Sequence, residues 1–184
     1  MKYITPELTT ARMILGRGSF DDYVKVYEYN FTKLRDICGE FEFVRQDPAN
    51  LVGYDTYADE EEDVFDWIAC LKDGMPIANI VADRVDRELN AIELAFNLHP
   101  TYWGNGYIKE AVVEICRYLY SIGFDNVLCG YSEGNKKSKR VCEKIGFKPY
   151  KTIQNAWVKN GTPITDYQCI LSREDFETLY STID

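Results

Sequence analysis

The feature that most constrains this chain is a glycine-containing loop between an apolar run and a periodic segment. The loop is residues 101–107, with Gly104 and Gly106 at alternate positions. The preceding run, Ala91–Leu98, is typical of a strand, and in residues 108–119 the apolar side chains recur on one helical face. Glycine lets a backbone approach a ligand closely, and the first turn of a helix offers unpaired N–H groups. The pattern therefore predicts a strand–loop–helix unit suited to a phosphate or pyrophosphate.

The residues after the glycines decide which phosphate ligand fits. The phosphate loop of nucleoside triphosphatases needs a Lys-Ser/Thr pair, where this chain has Tyr107 and Ile108. A dinucleotide fingerprint needs glycine or alanine three residues after Gly106, where Lys109 stands. Neither motif is present. By spacing alone, both an ordinary turn and an anion site stay open.

Three stretches of the sequence resemble one family of enzymes. They are residues 92–111 (IELAFNLHPTYWGNGYIKEA), residues 135–147 (NKKSKRVCEKIGF) and, more weakly, residues 8–15 (LTTARMIL). In order and spacing they are similar to the motifs of the GNAT N-acetyltransferases, in the branch that includes the ribosomal-protein N-terminal (RimJ/RimL-like) acetyltransferases. The resemblance covers most of the chain. It implies a single-domain α+β acyl-CoA N-acyltransferase fold, with a mixed, mostly antiparallel twisted sheet of about seven strands flanked by helices.

Length and composition favour one soluble domain, residues 1–184. A chain of 184 residues with 46% hydrophobic and 28% charged residues is typical of a globular protein. No apolar run approaches the roughly 20 residues of a membrane span, and the N-terminus lacks a signal-peptide core. The six cysteines include no Cys-x-x-Cys pair, which argues against a zinc site or a disulfide framework. We therefore expect a cytoplasmic protein.

The formal net charge of −9 bears on partners. It argues against nucleic acid, whose binders carry basic patches. It favours cationic partners, although a high net charge also serves solubility alone.

The remaining pattern predicts antiparallel strands first and then alternating strands and helices, which indicates an α+β sheet domain. The predicted elements are a strand at residues 12–15, a helix from Ser19 to about Asn30, a second helix at 31–40, an irregular segment at 41–63, a strand hairpin at 64–71 and 77–82, a strand at 127–131, a helix at 135–145, a second hairpin at 153–158 and 164–171, and a closing helix capped by Ser172.

The family resemblance implies acetyl-CoA as co-substrate and assigns its contacts. Loop N–H groups would hold the pyrophosphate, and main-chain groups of the preceding strand would pair with the pantetheine like an added strand. The parallel strands 91–98 and 127–131 would splay apart to admit it. The side chain of Asn135 would contact the pantetheine arm, although asparagine is also favoured as a helix N-cap. The residues assigned to the co-substrate are Phe96, Asn97, Leu98, Trp103, Gly104, Asn105, Gly106, Tyr107 and Asn135, with no metal.

Two residues are assigned to catalysis by the resemblance. Glu93 matches a glutamate that would deprotonate the amine, although a strand glutamate in a structural pair explains it equally well. Ser138 would donate to the leaving thiolate. Many relatives place a tyrosine acid four residues later, where this chain has Cys142. A thiol can donate a proton, but an apolar packing role fits as well. His99, the only histidine, is expected to be structural or to border the cofactor.

The sequence is compatible with several classes of amine acceptor. A protein N-terminus, a polyamine, an amino sugar or an aminoglycoside would each fit, with a monomer or a homodimer. The aromatic residues available to line an acceptor pocket are Phe31, Phe41, Phe43, Tyr54, Tyr57 and Trp157. The predicted function is acetyl transfer to a primary amine by direct attack in a ternary complex. The alternative is a non-catalytic acyl-CoA-binding module of the same fold.

Overall fold

The computed structural model describes residues 4–31, 48–159 and 161–181. The predicted helix at residues 31–40 lies outside them except for Phe31, and so do Phe41 and Phe43. The described residues fall into two compact units. The first lies within Met1–Arg84 and Phe96–Ile115, and the second within Val85–Ala95 and Cys116–Asp184.

The described part of the chain contains eight strands and five α-helices. The strands are β1 (Leu8–Thr9), β2 (Met13–Gly16), β3 (Phe65–Leu71), β4 (Pro76–Asp86), β5 (Ala91–Leu98), β6 (Asn126–Ser132), β7 (Lys148–Lys159) and β8 (Thr162–Ser172). The helices are α1 (Phe20–Tyr27), α2 (Tyr57–Glu60), α3 (Tyr107–Ser121), α4 (Lys136–Ile145) and α5 (Arg173–Tyr180). Short 3₁₀ turns occupy Glu28–Phe31, Pro48–Leu51 and Pro100–Tyr102.

The first unit carries antiparallel strands in the order β1-β2-β3-β4. The additional strand relative to the expected count is β1. It forms because Thr10 reverses the chain: its N–H donates to the Met13 carbonyl at 2.9 Å, and its Oγ1 accepts from the Met13 N–H at 2.9 Å. Leu8 and Thr9 then pair with Leu15 and Ile14. The sequence around Thr10 lacks the glycine or proline that marks most hairpin turns, so it did not predict this hairpin.

Helix α1 begins as its sequence predicts. The Ser19 Oγ accepts from the Asp22 N–H, and the Asp22 carboxylate accepts from the Ser19 N–H, so the capping box is complete. The α-helix ends at Tyr27, earlier than the predicted end, and a 3₁₀ turn continues the chain. Its apolar face packs in a core cluster with Leu51 and Ile68.

The predicted irregular segment at residues 41–63 is ordered in part. Its described portion contains a 3₁₀ turn at Pro48–Leu51 and the helical turn α2. The acidic residue Asp59 pairs with Arg17 at 2.8 Å. Tyr54 packs edge-on against Tyr23 and Tyr27, which fits a core role.

A buried polar network crosses the core of the first unit. The Tyr27 hydroxyl donates to Asn79 Oδ1 at 2.9 Å, and Asn79 Nδ2 donates to Asp66 Oδ1 at 2.5 Å. The Asp66 N–H donates to the Thr5 hydroxyl at 3.0 Å. Asp66 is 2% exposed, and this burial raises the pKa of its carboxyl to about 6. The Asn79 amide and the charge of Arg17 favour the ionised carboxyl, but the cost of burying that charge outweighs them.

Replacing Asp66 by asparagine is expected to change how stability depends on pH. A raised folded-state pKa means that the stabilising contribution of Asp66 is complete below its unfolded value and is lost as the pH rises through about 6. We compare the unfolding free energy of Asp66→Asn with that of wild type at each pH. This difference should be about 3 kcal/mol more in favour of the variant at neutral pH than at acid pH. Urea unfolding of both proteins across this range measures it. A difference that does not vary with pH would contradict the expectation.

The second unit holds strands in the order β5-β6-β8-β7. Ala91–Leu94 of β5 pair in parallel with Asn126–Cys129 of β6, and the other pairs in this unit are antiparallel. The predicted parallel pairing and α+β class are confirmed, and the splaying of the strands stays a prediction. Ser172 is the N-cap of helix α5, and its hydroxyl accepts from the Asp175 N–H at 3.1 Å. The cap predicted at Ser172 is thus present, and the Asp175 carboxylate pairs with Lys148 at 2.6 Å.

None of the helices within the described residues combines the length and the apolar character that a membrane crossing needs. Among the same residues, no three histidine, cysteine or acidic side chains cluster as metal ligands would.

Candidate active site

The glycine loop lies in the first unit, immediately before helix α3. Gly104 and Gly106 have φ angles of +81° and +79°, the left-handed region that side chains rarely adopt. The Asn105 side-chain amide ties the loop down by donating to the carbonyls of Tyr102 and Trp103, each at 3.1 Å. Within the described residues the N–H groups of Gly104, Asn105 and Gly106 find no acceptor. Because helix α3 begins at Tyr107, these three donors lie immediately before its first turn.

The end of strand β5 is fixed by contacts within the first unit. The Trp103 indole donates to the Leu98 carbonyl at 2.8 Å, which uses one of that oxygen's two acceptor positions. The Asn97 side chain donates to the Tyr29 hydroxyl at 2.7 Å. These contacts hold the strand that is expected to meet the pantetheine. Main-chain pairing of Phe96, Asn97 and Leu98 with that arm stays a prediction.

His99 has the structural surroundings that the sequence interpretation favoured. It is 7% exposed, and its Nδ1 accepts from the Thr101 N–H at 3.3 Å, which caps the short turn that follows. Its ring meets Tyr29 and Tyr102 edge-on. Burial lowers the pKa of His99, with the Glu28 carboxylate opposing that shift.

Glu93 lies on strand β5 in the second unit and is half-buried. Its Oε2 accepts from Gln168 Nε2 at 3.3 Å. Gln168 reaches it because its register partner on β6 is Gly130, which has no side chain to intervene. A Cβ on Gly130 would lie 3.8 Å from Glu93 Oε1. Gln168 is not among the residues predicted from the sequence, because only strand register places it beside Glu93.

Helix α4 carries the second set of predicted residues. Asn135 Oδ1 accepts from the Ser138 N–H at 3.1 Å, so Asn135 is the helix N-cap. Within the described residues the Asn135 Nδ2 and the Ser138 hydroxyl have no hydrogen-bond partner. Both therefore keep donors for a ligand, and their predicted roles stay open.

Cys142 stands where many relatives have a tyrosine. It is 1% exposed, and its Sγ lies 2.8 Å from the Cys129 Sγ. The hydrogen bond with Cys129, together with burial, raises the pKa of the Cys142 thiol well above its usual range. These surroundings support the packing interpretation of Cys142, because a buried thiol that faces another thiol is poorly placed to donate to a ligand.

Comparison with known proteins agrees with this geometry. The family model described as an acetyltransferase (GNAT) domain matches residues 19–148. The chain belongs to the GNAT acetyltransferase family. The predicted family resemblance is thereby confirmed.

Two relatives of this GNAT chain come from Bacillus subtilis strain 168. One is YkkB, 33% identical over 90 residues, which are 48% of this chain and 49% of the relative. The other is YoaA, named as an N-acetyltransferase, 26% identical over 72 residues, which are 39% of this chain and 41% of the relative. The chain therefore matches less than half the length of these curated relatives.

Solved structures share the GNAT fold at low identity. A GCN5-related N-acetyltransferase from Brucella melitensis has a TM-score of 0.81 at 15% identity, covering 98% of this chain and 85% of that one. RimJ from Mycobacterium smegmatis, in complex with CoA-disulfide, has a TM-score of 0.72 at 13% identity, covering 89% and 83%. The acetyltransferase MccE, in complex with acetyl-CoA and AMP, has a TM-score of 0.72 at 15% identity, covering 88% and 93%. The RimJ structure belongs to the branch that the sequence resembles.

Proposed function

We propose that this protein is an acetyl-CoA-dependent N-acetyltransferase that moves an acetyl group to a primary amine by direct attack in a ternary complex. The observation that carries the proposal is the loop of Gly104, Asn105 and Gly106, whose three N–H groups have no acceptor within the described residues. Unpaired donors beside the first turn of a 15-residue helix favour an anionic ligand. MccE, a structural neighbour, is described as bound to acetyl-CoA.

The loop residues fit a pyrophosphate on physical grounds. Gly104 and Gly106 have positive φ angles and carry no side chain, so a ligand can approach the loop backbone closely. In this proposal Trp103 and Tyr107 complete the loop that holds the pyrophosphate. Main-chain groups of Phe96, Asn97 and Leu98 and the side-chain donor of Asn135 hold the pantetheine.

Acetyl-CoA, when bound, supplies an acetyl group activated as a thioester. The chain's own residues supply the proton transfers. An alkylammonium has an unperturbed pKa of about 10.4 and must lose a proton before it can attack. Glu93 takes that proton, directly or through water. The Ser138 hydroxyl, which has no hydrogen-bond partner in the described part of the chain, donates a hydrogen bond to the departing thiolate.

The acceptor is a primary amine, and the negative charge of the chain favours a cationic one. Of the three aromatic residues considered for an acceptor pocket whose side chains are described, Tyr54, Tyr57 and Trp157, Tyr57 is the most exposed, at 39%. The Trp157 indole N–H donates to Ser132 Oγ at 3.2 Å and to Asp166 Oδ1 at 3.1 Å.

A calorimetric titration with acetyl-CoA, run beside thiol-release assays on a panel of amines, tests this function. We expect acetyl-CoA to bind and free thiol to appear with one class of amine. Binding with no release on any amine or peptide N-terminus would favour the non-catalytic module, to which the buried Cys142 in the tyrosine position gives weight. No binding at all would overturn the proposal.

A further inference from the structure

A second set of contacts holds the glycine loop from outside. Arg12 lies in the turn between β1 and β2, and its Nη1 donates to the Asn105 carbonyl at 3.0 Å. Its Nε donates to Glu110 Oε2 at 2.6 Å, and its guanidinium lies 4.2 Å from the centre of the Tyr107 ring. One arginine thus contacts the loop, the first residue of helix α3 and an acid one turn further on.

Glu110 is itself fixed by the N-terminal hairpin. Its Oε1 accepts from the Thr10 hydroxyl at 2.6 Å and from the Arg12 N–H at 2.9 Å. These hydrogen bonds hold the pKa of Glu110 below its usual range, against the opposing effect of burial. The carboxylate therefore stays charged at neutral pH and keeps the arginine in place.

The contact with Asn105 has a consequence for the next N–H group. The Asn105 carbonyl and the Gly106 N–H belong to one planar trans peptide and point in opposite directions. When Arg12 holds the carbonyl on its own side of the loop, the Gly106 N–H faces away from Arg12. Glycine at position 106 would otherwise allow this peptide to rotate freely.

An ordinary surface ion pair does not account for this arrangement. A partly exposed ion pair contributes little to folding stability by itself. Here the side chains of Arg12 and Glu110 are 42% and 20% exposed. Only a guanidinium can donate to the carboxylate and the carbonyl at once from a rigid plane while it stacks on an aromatic ring. The geometry suits orientation of the loop more than attraction of an anion, because Glu110 neutralises the charge of Arg12.

We propose that Arg12 is a positioning residue that orients the Gly106 N–H for the phosphates of acetyl-CoA, with Glu110 and Thr10 holding Arg12 in place. This inference rests on the proposed function, because it assumes that the loop binds the pyrophosphate. It predicts a defect confined to ligands that carry phosphates.

The test is a set of NMR titrations with two ligands, acetyl-CoA and S-acetylpantetheine, which keeps the thioester and lacks the phosphates. Arg12→Gln is expected to weaken acetyl-CoA binding about 10-fold and to leave S-acetylpantetheine binding unchanged. Arg12→Lys should lose nearly as much acetyl-CoA affinity, because one ammonium group cannot replace the two separate donors of the planar guanidinium. Glu110→Gln, which keeps the side-chain shape, should give a smaller loss with the same selectivity.

The matched control is Arg17→Gln. Arg17 also donates to a carboxylate, that of Asp59, and to a backbone carbonyl, that of Asp55, but neither belongs to the loop. Its acetyl-CoA affinity should equal that of wild type. Unchanged acetyl-CoA affinity in Arg12→Gln, full retention in Arg12→Lys, or equal losses for both ligands would each overturn the inference. Failure of the wild-type protein to bind acetyl-CoA would instead overturn the proposed function, and this inference with it.

Discussion

Replacing Gly106 by valine is expected to lower acetyl-CoA affinity about 100-fold. The φ angle of Gly106 is +79°, which a β-branched residue tolerates poorly, so the loop would change conformation. The N–H donors of the loop would then no longer match a pyrophosphate. Calorimetry with acetyl-CoA measures the loss, and thermal unfolding shows whether the variant still folds.

Gly74→Val is the control for backbone strain alone. Gly74 has a φ of +89° and lies in the turn between β3 and β4, where an added Cβ meets nothing within 4 Å. Both variants should lose similar stability, about 1–3 kcal/mol, and only the Gly106 variant should lose affinity. Comparable affinity losses in the two variants would show that the effect comes from strain and would remove the loop from the binding site.

The second large effect is expected at Glu93. Glu93→Gln keeps the size of the side chain and its ability to accept from Gln168 but removes the base, so kcat should fall about 100-fold. Acetyl-CoA affinity should not change. The deficit should shrink as the pH approaches about 10, because more of the amine is then already deprotonated. Thiol release on the best amine of the panel, measured across pH, gives the result.

Glu88→Gln is the control for this substitution. Glu88 belongs to the same unit and is exposed in the turn before β5, so its loss should leave kcat as in wild type. A Glu93→Gln variant with kcat within about threefold of wild type would assign Glu93 to the structural pair with Gln168 and leave the base to another group.

Local sequence signals predicted the elements that depend on neighbouring residues. Strand β5 has the predicted bounds, and Ser19 caps helix α1 through Asp22 as its motif indicates. Both depend on residues a few positions apart, through alternation along a strand and hydrogen bonds across a helical turn. The two-residue strand β1 was not predicted, because the turn at Thr10 depends on hydrogen bonds to Met13 that have no marked sequence signal.

The sequence by itself determined the family, the α+β class and the glycine loop before a helix, because these depend on identity and spacing along the chain. Only the tertiary structure revealed that Gln168 reaches Glu93, that Arg12 and Glu110 hold the loop, and that Cys142 faces Cys129. Arg12 and Glu110 are 98 positions apart and Glu93 and Gln168 are 75 apart. Which side chains meet in such long-range contacts depends on strand register and packing, and no short stretch of sequence encodes these.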